Sequence, residues 1–165
     1  KLILGFIGGT DTHATMTFAK PSMEAGNIPE LPGLTAVCSE KFERKGIFSA
    51  IRNRSCYAAC GERIYLAFQV NNAKMGSKIE VTPEILRSRH IHVECAGKGD
   101  LSSVEIIRNG KCIKAISPET WKLTADFDDN ELLSGTDKDA FCYYYVRVRC
   151  KSGATAWSSP VWITG

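Results

Sequence analysis

From Phe141 to Cys150 the side chains alternate without a break. Cys142, Tyr144, Val146, Val148 and Cys150 take the even positions, and Arg147 and Arg149 fall at odd ones. A period of two belongs to a strand with one face on a core and the other in water. The pattern recurs upstream. Ile64, Leu66, Phe68 and Val70 alternate with Tyr65, Ala67 and Gln69, and Ile91, Val93 and Cys95 alternate with His90, His92 and Glu94. Val104–Ile116 reads as a hairpin closed by Asn109-Gly110, the pair that a type I′ turn favours. Counting outward from that turn pairs Arg108 with Lys111, Ile107 with Cys112, Ile106 with Ile113 and Glu105 with Lys114. A last strand covers Ala156–Thr164, with Pro160 marking an edge or a bulge. Six or seven short strands of this kind predict an immunoglobulin-like β-sandwich over residues 63–165.

Residues 1–62 have a different character. Leu2–Ile7 is a short apolar run ending in glycines, which predicts a buried strand of a parallel sheet. A long loop, Ala14–Gly33, holds Pro21, Pro29 and Pro32, and Leu34–Cys38 reads as a second strand. Glu40–Arg54 predicts a helix with Ser39 as its N-cap and an apolar stripe of Ile47, Phe48 and Ile51. One helix and two or three strands do not close a core, so this segment predicts the end of a larger α/β domain. The first residue is Lys1 and leads directly into an apolar run, which predicts a fragment or a processed product.

Composition narrows the function. The net charge is +3 with no basic block, which argues against nucleic acid as a partner. No apolar stretch approaches the roughly 20 residues that span a bilayer, so no membrane partner is expected. Seven cysteines occur without a CxxC pair, which removes zinc ribbons and thioredoxin-like sites. They read as small buried hydrophobes, although an oxidising compartment with some disulfides stays open.

The chemistry-bearing motif is Gly8-Gly9-Thr10-Asp11-Thr12-His13. Loops at the carboxyl ends of parallel strands carry active sites in α/β folds. Asp11 and His13 are two residues apart, so an extended loop can point both side chains the same way. A carboxylate and an imidazole together suit a divalent metal. The plainer reading is a turn, for which Asp, Thr and Gly are common choices. Thr10 and Thr12 are placed to back the ligands with hydrogen bonds, or serve simply as strand-end residues.

Three stretches, in this order, resemble the PHP (polymerase and histidinol phosphatase) superfamily. Gly8–His13 resembles its last metal-binding motif, Asp-x-His. Ile47–Gly61 resembles the helix and turn that close its barrel. Tyr143–Arg149 and Ala156–Trp162 are similar to the end of a large microbial group of PHP-like proteins in which a β-sandwich follows the barrel. The resemblance implies a mainly β chain: an immunoglobulin-like sandwich (63–165) after a short α/β segment (1–62) from the end of a PHP-type barrel. It implies Asp11 and His13 as ligands to divalent metals (Zn, Mn or Fe) that activate water for phosphoester hydrolysis. The opening His-x-His motif and the middle ligands would lie upstream of Lys1, so the chain alone is expected to be inactive. Ala58-Ala59-Cys60-Gly61 departs from the Ala-Thr-Thr-Gly of relatives, a difference of packing rather than chemistry. The expected partners are the remainder of the barrel and, through its exposed edge, a second copy.

Other readings carry less. His90, His92 and Glu94 fall on one face and would make an acceptable metal trio. Ile91, Val93 and Cys95 fill the opposite face, however, as in an ordinary half-buried strand. Gly5-Phe6-Ile7-Gly8-Gly9 does not open a helix suited to phosphate, because Asp11 would repel the ligand. Trp121, Trp157 and Trp162 suggest a sugar-binding platform on the sandwich, with core packing as the commoner role. The alternative function is therefore a non-catalytic module that binds carbohydrate or protein.

Overall fold

The structure is a computed structural model that describes residues 2–9, 33–133 and 140–165. Within them the chain is mainly β. The strands are β1 (Leu34–Val37), β2 (Cys56–Cys60), β3 (Tyr65–Val70), β4 (Ala73–Lys74), β5 (Lys78–Glu80), β6 (Arg89–Ala96), β7 (Leu101–Arg108), β8 (Lys111–Ile116), β9 (Lys122–Asp129), β10 (Phe141–Cys150), β11 (Thr155–Ser158) and β12 (Val161–Thr164). Two short helices, α1 (Arg44–Arg52) and α2 (Pro83–Arg87), interrupt them.

Two sheets form. The smaller has the order β4-β3-β6-β9, antiparallel throughout. The larger runs β1-β2-β11-β10-β12-β5, with β7 on the other edge of β10 and β8 beyond it. Strand β10 is long enough for β11 and β12 to pair in turn along one side of it. The β12–β5 pair is parallel and the other pairs are antiparallel.

The core lies between the sheets, as period-two patterning requires. Leu66, Phe68, Val70, Ile91, Val93 and Cys95 face Leu101, Val104, Ile106, Cys142, Tyr144, Val146 and Val148, all buried in one cluster. The alternations predicted for residues 64–70, 91–95 and 141–150 therefore hold residue by residue. Burial also raises the Cys95 and Cys142 thiols to about 11, so both sit as neutral hydrophobes.

The hairpin holds in part. Asn109 and Gly110 both adopt positive φ, +49° and +81°, as a type I′ turn demands. Arg108 pairs with Lys111 and Ile107 with Cys112 as counted, and then the register slips. Ile106 faces Lys114 and Glu105 faces Ala115, so the expected Glu105–Lys114 pair does not form. A bulge of this kind puts one extra residue on one strand and shifts every later partner. Glu105 instead binds the guanidinium of Arg147, whose Nε donates at 2.6 Å, and Arg149 lies 3.5 Å away.

Two local expectations are corrected. Residues 2–9 enter no ladder, and Leu2, Leu4 and Ile7 are exposed, so the apolar run is not a buried strand. Helix α1 starts at Arg44 with Glu43 as its N-cap, while the Ser39 hydroxyl donates to the Lys41 carbonyl at 2.7 Å. The helix buries Ala50 and leaves Phe48 and Ile51 in water, because no described element covers that face. The segment read as a barrel tail is also tied to the sandwich. Strand β2 pairs with β11 in the larger sheet, and Tyr57 and Ala59 join the common core.

Candidate functional site

Thr10, Asp11, Thr12 and His13 lie outside the described residues, as does most of the Ala14–Gly33 loop. The structure does describe the two ends from which that loop springs. Phe6 N–H donates to the Ser159 hydroxyl at 2.9 Å. Gly8 is held through both its backbone groups by one side chain: its N–H donates to Thr35 Oγ1 at 3.0 Å, and the same hydroxyl donates to its carbonyl at 2.7 Å. The contact is close enough to require glycine. A Cβ on Gly8 would stand 2.4 Å from the Leu34 carbonyl oxygen, and one on Gly33 would stand 2.4 Å from the Gly9 carbonyl oxygen. Gly9 and Gly33 thus touch through their backbones, and the chain leaves and returns at one point beside β1. The glycines therefore serve close backbone approach, a role distinct from a phosphate-binding loop.

Ile7, beside that point, is 66% exposed. Carboxylate and imidazole donors such as Asp11 and His13 fit a borderline divalent ion by chemistry. Among the described residues no three His, Cys, Asp or Glu side chains form a group able to hold a metal ion.

His90, His92 and Glu94 do share the outer face of the smaller sheet, as alternation predicts, and their neighbours there are acidic. Strand β9 places Asp128 opposite His90 and Asp126 opposite His92. His90 Nδ1 lies 2.7 Å from Asp128 Oδ1, and its Nε2 lies 3.2 Å from Asp126 Oδ1. His92 Nδ1 lies 2.8 Å from that same Asp126 oxygen, and its Nε2 lies 3.1 Å from Glu94 Oε1. The hydrogen bond with Asp128 raises His90 above its ordinary pKa, and those with Asp126 and Glu94 raise His92. Asp126 is lowered in return, chiefly by His92.

Behind this row lies a buried polar cluster. Asp129 Oδ2 accepts from Tyr144 Oη at 2.7 Å, Arg108 NH1 at 2.8 Å and Arg89 NH2 at 2.9 Å. Arg89, fully buried, also donates from Nε to Tyr144 Oη at 2.9 Å and from NH2 to the Glu131 carbonyl at 2.6 Å. Its NH1 reaches the Ile85 and Leu86 carbonyls, so α2 is fastened to the same centre. Burial alone would raise Asp129, but the hydrogen bonds from Tyr144 and Arg89 outweigh it and hold the carboxyl below its usual range. This is a structural ion-pair cluster rather than a reactive group: Oδ2 takes three side-chain donors, and Oδ1 accepts the Glu131 N–H at 3.1 Å. The sequence signal for it was the alternation of Leu123, Ala125, Phe127 and Asp129 in β9, whose fourth inward position is charged.

The tryptophans do not converge. Trp162 is buried against Phe141 and Tyr143, with ring centroids 5.6 and 5.0 Å away. Trp121 stands just before β9, with Lys122 Nζ over its ring at 5.1 Å.

These features define a class: a mainly β protein of antiparallel sheets packed face to face. No family model matches the chain, and no solved structure matches it. It is similar to an uncharacterised protein of Chlamydia muridarum, 38% identical over 140 residues, which covers 80% of this chain and 22% of that protein. An uncharacterised protein of Chlamydia pneumoniae is 36% identical over 172 aligned positions, covering 99% of this chain and 27% of that protein. A third, from Chlamydia trachomatis, is 39% identical over 140 residues. The chain spans about a quarter of the length of the curated relatives it matches.

Proposed function

We propose that this chain is the closing edge of a PHP-type barrel followed by an immunoglobulin-like sandwich that braces it, within a longer metal-dependent phosphoester hydrolase. Asp11 and His13 would serve as two ligands of the metal centre, and the remaining ligands would come from the rest of the polypeptide. The metal, when bound, supplies a Lewis acid and a hydroxide at neutral pH. The chain's own share is to hold the loop's base in place through Thr35, Gly8 and Gly33.

One observation carries this reading. Apolar side chains are bare on both pieces of chain that pack against β1: Leu2, Leu4 and Ile7 on one, Phe48 and Ile51 on the other. A surface of that kind marks an interface. The relatives are about four times longer, which leaves ample chain to cover it.

The test has two arms. Elemental analysis of the purified chain after dialysis, beside an Asp11→Ala/His13→Ala double variant, reads the half-site. Bound Zn, Mn or Fe that disappears in the variant is the expected result. The same double variant in the longer polypeptide should lose hydrolysis of a generic phosphodiester by at least about 100-fold, as loss of metal ligands does. Unchanged hydrolysis would remove the proposal and leave the sandwich as a binding or structural module.

A further inference from the structure

The histidine row on the smaller sheet has a proton count that its geometry dictates. A neutral imidazole carries one N–H and one lone pair, and a carboxylate only accepts. Each ring here meets a carboxylate oxygen at both of its nitrogens: His90 between Asp128 and Asp126, His92 between Asp126 and Glu94. Only the doubly protonated ring donates in both directions. In the neutral form one lone pair of each ring would point at a carboxylate. The arrangement is therefore complete with two extra protons and self-repelling without them.

The row also sits back to back with the buried cluster. The last two rungs of the β6–β9 ladder are His90↔Asp128 and Arg89↔Asp129. One rung points outward and can titrate, while the next points inward and holds Tyr144, Arg108 and α2. Among the described residues β9 is an edge strand, and β6 is the one strand that holds it through backbone hydrogen bonds.

We propose that His90 and His92, with Asp126, Asp128 and Glu94, form a proton-operated clasp on the β6–β9 seam, whose release loosens the edge strand and the Arg89–Asp129 pair behind it. Strand β3 sets Gln69 opposite His92, and the Tyr65 hydroxyl lies 3.5 Å from Glu94. Strand β4 places Lys74 opposite Gln69, and Lys122 occupies the same face of β9 as the two aspartates. Asn71, in the turn after β3, accepts from the His90 backbone N–H at 2.7 Å. Three carboxylates thus face two imidazoles, with the lysines at the margins.

The sign follows from the directions of shift. The histidines are raised in the fold, so their contribution is fully present below about pH 6.5, the unfolded value, and fades as pH rises through the raised one. Asp126 is lowered, so its contribution is present above about pH 4 and fades in stronger acid. The clasp is tightest in mild acid, between those limits.

The test is a histidine NMR titration from about pH 5 to about pH 9, with thermal unfolding over the same range. The chain would be compared with Asp126→Asn/Asp128→Asn and with His90→Gln/His92→Gln, and the single variants His90→Gln and His92→Gln assign the two rings. Both rings should titrate above free histidine and fall back toward it in the aspartate variant. The Arg89 Nε–H resonance should move with the same midpoint as His90. Thermal stability should drop as pH rises through that midpoint, and the histidine variant should lose most of this slope. Rings that titrate like free histidine, an Arg89 signal that ignores them, or a slope that survives His90→Gln/His92→Gln would each overturn the proposal.

Discussion

Asp129 is one carboxylate shared by three donors, and two of the four groups are arginines withdrawn from most of the solvent. Desolvation of such charges is costly, and only complete pairing offsets it. Asp129→Ala should therefore cost about 3–5 kcal/mol, since it strands Arg89 in the core without its counter-charge. Tyr144→Phe removes only the hydroxyl that bridges Arg89 and Asp129 and should cost less, about 1–3 kcal/mol. Urea unfolding of the two variants gives the comparison. Equal losses would mean that the carboxylate does not organise the cluster. A sequence reader could have suspected Arg89, since it occupies an inward parity next to His90, but its side-chain partners Asp129 and Tyr144 come from β9 and β10 and its carbonyl partners from α2 and Glu131. That convergence is a property of the fold.

At the level of the element, the Asn109-Gly110 turn is the clearest case of local chemistry deciding structure. Gly110 adopts φ +81°, so Gly110→Ala should cost about 1 kcal/mol, read as a lowered thermal midpoint, while the same change at Gly99 should do less. Periodicity made β3, β6 and β10 legible, because each has one wet face and one dry face and the sequence records both. The slip after Ile107 was not legible, since a bulge belongs to the pair of strands and to neither alone. Leu2–Ile7 misled for a different reason. Apolar composition reports what a segment would bury, and here the described structure covers only Ile3 and Phe6, and those in part, with Phe6 against Tyr145. Strand β9 alternates as well, but its apolar face is only partly buried and ends in a charge, Asp129, so β6 must be laid beside it before it stands out as a strand. Asp11 and His13 lie outside the described residues, so their role as a metal half-site belongs to the proposal alone.

For the molecule as a whole, the bare apolar positions predict association. Purified chain should show a concentration-dependent mass in light scattering, and Phe42→Ser/Phe48→Ser should shift it toward monomer. A monomer at every concentration would contradict this and would weaken the case for a covering partner. The larger sheet carries a further consequence, in its order in time. Its first-made strands pair with its last-made ones: β2 lies against β11, and Phe6 hydrogen-bonds to Ser159, 153 residues downstream. At ribosomal speeds of roughly 5–20 residues per second, Phe6 waits about 8–30 s for that partner to be synthesised. During that interval β2 is an unpaired edge beside exposed phenylalanine and leucine, which is what chaperones recognise and aggregates grow from. A chain released before Thr155 would keep that edge open permanently. Synthesis stalled late should therefore yield insoluble product, even though most of the sandwich core has by then been made.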